Sequence, residues 1–148
     1  MSTGLVRFIA ARSSRWRSRF SRSEHLALGR RGEKLAARYL RRQGFKVLYR
    51  NFRGRQGGEI DLVCRDRDVL VFVEVKTRTR EDFGRPLDAV NRAKQRRISL
   101  GGLAWLRLLG DPDILFRFDV VEVVIDENGA PRIELVRDAF PLAQPYLY

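Results

Sequence analysis

The sequence predicts a mixed α/β fold, with a central sheet of about five strands flanked by helices in the order α-β-β-β-α-β-β. Three observations carry that expectation. Leu28, Gly32, Leu35, Ala36, Tyr39 and Leu40 recur at helical spacing. Val69, Val71, Val73 and Val75 alternate with Leu70, Phe72, Glu74 and Lys76 in one uninterrupted strand pattern. A second helical stretch then separates this strand from two more, as a crossover to a further strand requires.

In chain order, residues 1–23 form a basic Arg/Ser-rich arm. Its apolar positions, Leu5, Ile9, Trp16 and Phe20, suit a basic amphipathic helix on an anionic surface, a disordered arm, or a start placed too far upstream. Disorder or a loose helix is expected there, and residues 24–148 are expected to fold as a single domain. A helix is expected from Glu24 to Gln43, stopped by Gly44; Glu33 projects to the margin of its apolar stripe. Phe45–Asn51 reads as a short strand. The stretch Arg53-Gly54-Arg55-Gln56-Gly57-Gly58 reads as a flexible basic loop. Glu59–Cys64 alternates, with Glu59, Asp61 and Val63 on one face. Val69–Arg78 is the strongest strand. The next helix is expected over Leu87–Leu109, facing the core with Leu87, Val90, Ile98, Trp105 and Leu108, and weakened or bent at Gly101-Gly102. Ile114–Ile125 and Arg132–Val136 read as the last strands, around an Asn128-Gly129 turn signal.

Composition narrows the chemistry. With 148 residues the chain suits one domain. His25 is the only histidine and Cys64 the only cysteine, which leaves no material for a histidine triad, a multi-ligand zinc site or an intrachain disulfide. No apolar run is long enough to span a membrane, and the N-terminus lacks the apolar core of a secretory signal, so a cytoplasmic location is expected. The net charge of +12 points to an anionic partner, nucleic acid first. Six of those charges are arginines ahead of Glu24, leaving +6 for the remainder. Charge alone therefore does not choose between a nucleic-acid protein and a merely basic one.

The hairpin holds the chemistry. A connection centred between Asp66 and Arg67 sets Glu59 opposite Glu74 and leaves Asp61 and Glu74 as diagonal neighbours, about 7–8 Å apart at the backbone. A register shifted by two residues sets Asp61 directly opposite Glu74 and keeps the face. Lys76 follows on the same face. Two carboxylates about 5 Å apart repel by roughly 3 kcal/mol at an effective dielectric near 20, so a proton, the lysine or a divalent cation must offset them. Hard cations such as Mg2+ or Mn2+ take this type of oxygen ligand. The bland alternative is a Glu74–Lys76 ion pair on a solvated sheet. Against it, only four of the 30 basic residues are lysines, and a lysine here is a compact, tunable ammonium. Lys94 falls inside the apolar stripe of its helix, where its ammonium should meet a carboxylate or a phosphate, unless its stem snorkels outward.

Gly32-Glu33-Lys34-Leu35-Ala36-Ala37-Arg38-Tyr39-Leu40, Gly58-Glu59-Ile60-Asp61-Leu62-Val63 and Val71-Phe72-Val73-Glu74-Val75-Lys76-Thr77-Arg78 resemble the YraN family of small bacterial proteins. So do the segments around Pro86, Ala89-Val90, Lys94 and Arg97-Ile98, and Arg117-Phe118-Asp119-Val120-Val121. That family is similar to the PD-(D/E)XK nucleases. The resemblance implies a restriction-endonuclease-like core, with Asp61 and Glu74 as metal ligands joined by the Val75 carbonyl. It also implies Lys76 as the catalytic lysine and Glu33 as the helix carboxylate of resolvase-like members, a further metal residue that would ligate a second ion or hold a water. Ile60 replaces the superfamily's proline.

The expectation is then a Mg2+- or Mn2+-dependent DNA endonuclease of resolvase-like type, acting on branched or damaged DNA. Asp61, Glu74, Lys76, Glu33 and Lys94 form its site, with Lys94 on the scissile phosphate, and Arg53, Arg55, Arg78 and Arg80 contact the backbone. A homodimer would fit junction cutting, which needs two sites. The alternatives are a non-catalytic nucleic-acid-binding protein that keeps the fold, and a membrane-surface partner acting through the basic arm.

Overall fold

A computed structural model describes residues 21–79, 90–126 and 128–148 of the chain. By its contacts the chain divides into residues 1–31 and 32–148. In the first unit, Ser21 Oγ accepts the Glu24 N–H at 3.2 Å while Glu24 Oε2 accepts the Ser21 N–H at 2.5 Å. This capping box satisfies two donors that a helix start leaves unpaired. Helix α1 (Arg22–Arg42) therefore begins ahead of the expected Glu24. The basic arm expected over residues 1–23 lies outside the described residues up to position 20, and its last three positions are the cap and first turn of α1.

In the second unit, α1 buries Gly32, Ala36, Ala37 and Leu40 and ends before Gly44, whose φ of +92° no β-carbon tolerates well. The strands are β1 (Lys46–Arg53), β2 (Glu59–Asp66), β3 (Val69–Arg78), β4 (Phe116–Val124) and β5 (Arg132–Phe140). They form one sheet in the order β1-β2-β3-β4-β5. Only β3 and β4 run parallel; helix α2 (Arg92–Leu108) lies between them in the chain. The element order is α-β-β-β-α-β-β, as the sequence predicts.

Helix α2 starts at Arg92 because Asn91 caps it, its Oδ1 accepting the Lys94 N–H at 2.9 Å. The helix expected from Leu87 is thus shorter; Leu87 itself lies outside the described residues. Ile98, Leu103 and Leu106 pack into a core with Val63, Leu70, Phe72, Phe118 and Phe140. Each fully buried aliphatic side chain there contributes about 1.5–3 kcal/mol. Leu108, expected in that core, is 73% exposed. Gly101 and Gly102 do not end the helix. A β-carbon on Gly101 would lie 2.9 Å from the Glu59 nitrogen, and one on Gly102 would lie 3.1 Å from the Phe72 and Phe118 rings. The two glycines let α2 sit directly on β2 and β3.

The hairpin register corrects the first of the two expectations. Leu62 pairs with Val73 and Asp66 with Val69, so the turn is Arg67-Asp68. Asp66 stays in the strand, where its Oδ2 accepts from Arg117 at 2.8 Å and from Arg137 at 2.7 Å. Arg67 takes the left-handed φ of +54° that the tight turn needs. The shift of two residues preserves side-chain parity, so Asp61 and Glu74 become direct neighbours across the hairpin.

Candidate functional site

Asp61 sits where β2 leaves the ladder. The β2–β3 pairing runs no further than Leu62↔Val73. One position beyond, the Asp61 carboxylate Oδ2 accepts the Val75 N–H at 2.8 Å. A side chain thus takes the donor that a continued ladder would give to a backbone carbonyl. In an extended strand the N–H and C=O of one residue point to the same edge. Arg78, of opposite parity, gives its carbonyl to the Ile125 N–H at 2.7 Å on the β4 edge. The Val75 carbonyl therefore faces the β2 edge, beside Asp61.

Glu74 is nearly buried, and its Oε2 has no hydrogen-bond partner. Burial, and then the neighbouring charge of Asp61, push its carboxyl up to about 8. Asp61 is likewise raised, by burial first, against the opposing bonds from Val75 and Glu74. The two carboxyls are close enough to share a hydrogen bond when one holds a proton. Near neutral pH, in the absence of a cation, burial and like charge favour one proton held between the two carboxyls.

Lys94 answers the expectation that its ammonium meets an acid. Its Nζ donates to Glu59 Oε1 at 2.7 Å and lies 3.4 Å from Glu74 Oε1. Burial works against its charge, but the bond to Glu59 and the charges of Glu74 and Asp61 outweigh it, so its pKa lies above the ordinary lysine value. Glu59, to which the sequence reading assigned no role, also pairs with Arg97 at 3.2 Å. The Lys94 bond holds its carboxyl below the usual range. A signal for it existed. Lys94 and Arg97 stand one helical turn apart, a doublet of cations on one face, and Glu59 shares the parity of Asp61.

Lys76 is half-buried and close enough to favour the ionised form of Glu74. The parallel register sets Lys76 beside Glu122 of β4, a second carboxylate not foreseen. Glu33 stands apart. A β-carbon on Gly32 would fall 1.8 Å from Thr77 Oγ1, so α1 meets the face of β3 opposite Glu74 and Lys76. Among the described residues no three His, Cys, Asp or Glu side chains gather in a position to share one metal ion. Glu33 is therefore not assembled with Asp61 and Glu74 into a common ligand set. Of the arginines expected on nucleic acid, Arg53 and Arg55 are exposed. Arg78 instead pairs with Glu122 at 3.4 Å and is largely covered. Arg80 lies outside the described residues.

Whether a hard divalent cation fits can be judged from the donors. Two carboxylates that repel each other, one of them with a buried unpartnered oxygen, and a carbonyl on the same edge are all oxygen ligands. They fit Mg2+ or Mn2+, with water and substrate oxygens completing the shell.

Fold and site together define a mixed α/β domain that carries a carboxylate pair, one buried and one half-buried, at a splayed hairpin with two lysines close by. The chain matches Uncharacterised protein family UPF0102 over residues 32–123. A UPF0102 protein of Geobacter sulfurreducens is 53% identical over 116 residues, covering 78% of this chain and 90% of that protein. One of Rhodococcus jostii is 50% identical over 118 residues, 80% of this chain and 99% of its own. One of Syntrophus aciditrophicus is 44% identical over 124 residues, 84% of this chain and 96% of its own. The chain belongs to the UPF0102 family. Among the described residues, no helix is long and apolar enough to cross a membrane.

Proposed function

We propose that this protein is a Mg2+- or Mn2+-dependent endonuclease acting on DNA, with a site of the PD-(D/E)XK type. The observation that carries the proposal is the Asp61–Glu74 pair. A buried carboxyl and a half-buried one stand side by side, the buried one has an oxygen with no hydrogen-bond partner, and the ammonium groups of Lys94 and Lys76 are close by. Burying such a pair costs stability, and a protein bears that cost at a place where a cation is to be held.

Asp61, Glu74 and the Val75 carbonyl would hold the ion. When bound, it supplies a Lewis acid for the scissile phosphate and makes water more acidic. Asp61 is already oriented by the Val75 N–H. Lys76 orients the attacking water and stabilises the charge that grows on phosphorus. Lys94 meets the scissile phosphate at the mouth of the site, and Glu59 with Arg97 positions it. From α1, Glu33 would hold a water or a second ion rather than share the first ion with Asp61 and Glu74. Arg53 and Arg55 contact the backbone, so binding should weaken with salt and ignore sequence.

A second reading, nucleic-acid binding without cleavage, draws on the pairing of Lys94 with Glu59 and Glu74, which leaves the acids partly neutralised without any metal. Cleavage assays on duplex, single-stranded, flap and four-way DNA, with Mg2+ or Mn2+, separate the two. Wild type should cut at least one substrate, and Asp61→Ala and Lys76→Ala should not. No metal-dependent cleavage, or equal cleavage by both variants, would sink the catalytic proposal.

A further inference from the structure

A cleft lined by none of the carboxylates or lysines of the site lies on α2, the same helix as Lys94. It holds about 410 Å3 between the β1–β2 loop and α2. Phe52, Leu100 and Leu108 give it apolar surface, and Arg53, Arg55 and Arg107 stand around it. Its loop wall is tightly built. Gly57 and Gly58 have φ of +97° and +82°, and a β-carbon on Gly58 would lie 2.3 Å from the Gly101 nitrogen. A β-carbon on Gly54 would lie 2.9 Å from Ala104 Cβ. The loop expected to be flexible is therefore seated on α2 over its glycines, and presents Arg55 outward.

The cleft continues the candidate site. Lys94, Arg97, Leu100, Ala104 and Arg107 recur at helical spacing along α2. At 1.5 Å per residue, Leu100 is about 9 Å and Ala104 about 15 Å along the axis from Lys94. Glu59 follows Gly58 directly, and Arg53 at the cleft is near enough to favour the ionised form of Glu59. A few nucleotides of one strand would bridge the two places.

Resting on the nuclease reading, we infer that this cleft receives an unpaired nucleotide of the substrate strand, base inward against Phe52, Leu100 and Leu108, phosphate outward to the arginines. The chemistry favours this occupant over intact duplex. A duplex offers only phosphates and sugars to such a surface, which would satisfy the arginines and leave the apolar surface wet. An unstacked base brings a flat apolar face together with its own phosphate, and every base has such a face. The substrate class is then DNA with an unpaired segment next to the cut.

The test is equilibrium binding of the full chain by fluorescence anisotropy, with Ca2+ in place of Mg2+. The probes are a paired duplex, the same duplex with a short single-stranded flap, and that flap with abasic residues. The flap should bind about tenfold more tightly than the duplex, and removal of its bases should abolish the gain. Leu108→Ser, uncharged and at an exposed position that does not threaten folding, should lose the same factor on the flap and nothing on the duplex. Equal affinity for the flap and its abasic form overturns the inference, as does a uniform loss with Leu108→Ser on all three probes. Those outcomes leave cleavage untouched. Absence of cleavage with base-dependent flap binding overturns the nuclease reading and leaves the cleft standing.

Discussion

Replacing Glu74 by glutamine tests the electrostatics of the carboxylate pair without touching any reaction. Folding raises the Glu74 carboxyl from 4.5 to about 8. At about 1.4 kcal/mol per pH unit, ionising it inside the fold costs about 5 kcal/mol. The sign follows from linkage. The folded chain holds the proton more tightly than the unfolded chain, so the stability is complete below pH 4.5 and declines as pH rises to about 8. Beyond that it is flat. Coupling to Asp61 and Lys94, with some entry of water, shares that loss, leaving an expected fall of at least about 2 kcal/mol between about pH 5 and pH 8.5. Glutamine has the same shape, never ionises, and can donate to Asp61 as the protonated acid does. Urea denaturation of both proteins in EDTA, across that range, reads the difference directly. The wild-type stability should drop with pH while Glu74→Gln stays nearly level, so the variant overtakes it on the alkaline side. Added Mn2+ at alkaline pH should restore the wild type and leave Glu74→Gln unchanged. Parallel pH curves for the two proteins would refute the argument from burial and like charge.

Lys94→Met removes a cation that competes for Glu74, so Mn2+ should bind about tenfold more tightly by calorimetry while any cleavage is lost; weaker Mn2+ binding would make Lys94 a support of the ligands instead. Gly58→Ala puts a β-carbon 2.3 Å from the Gly101 nitrogen at a φ of +82°, and thermal denaturation should show a loss of about 2–4 kcal/mol. Asp119 is fully buried, bonded to Arg117 at 2.9 Å and to the Asp138 N–H at 2.9 Å; Asp119→Ala should cost about 3 kcal/mol in urea denaturation. Burial, aided by the charge of Asp119, pushes the Cys64 thiol up to about 12, so a thiol reagent should label it in urea and not in the native protein.

The hairpin shows how far one-dimensional pattern reaches. Period-two alternation identified β3 over Val69–Arg78 and put Glu74 and Lys76 on one face, because side-chain direction in a strand is set by local stereochemistry. It did not choose the register. That choice lay with Asp66, which two arginines from β4 and β5 draw into the strand, and no local rule carries contacts between residues so distant in the chain. Alternation also failed at Ile60, which packs in the same core as Val63 and Phe72 although strict parity sets it on the other face. The departure coincides with Asp61, whose side chain replaces the backbone ladder. Helix α2 repeats the lesson. Propensity reads Gly101-Gly102 as a weak point, and only the approach of β2 and β3 shows that both glycines are needed.

The sequence by itself determined the order of elements, the faces of β3, the shortage of histidine and cysteine, and the carboxylates and lysines available for chemistry. These follow from local stereochemistry and composition. Tertiary structure decided which of them meet. It joined Asp61 to the Val75 amide, clamped Lys94 with Glu59, and placed Glu33 on a helix that meets the opposite face of β3. It also covered Arg78 with Glu122. Charges find partners through space, and the paths that bring them together are set by packing far from the charges themselves.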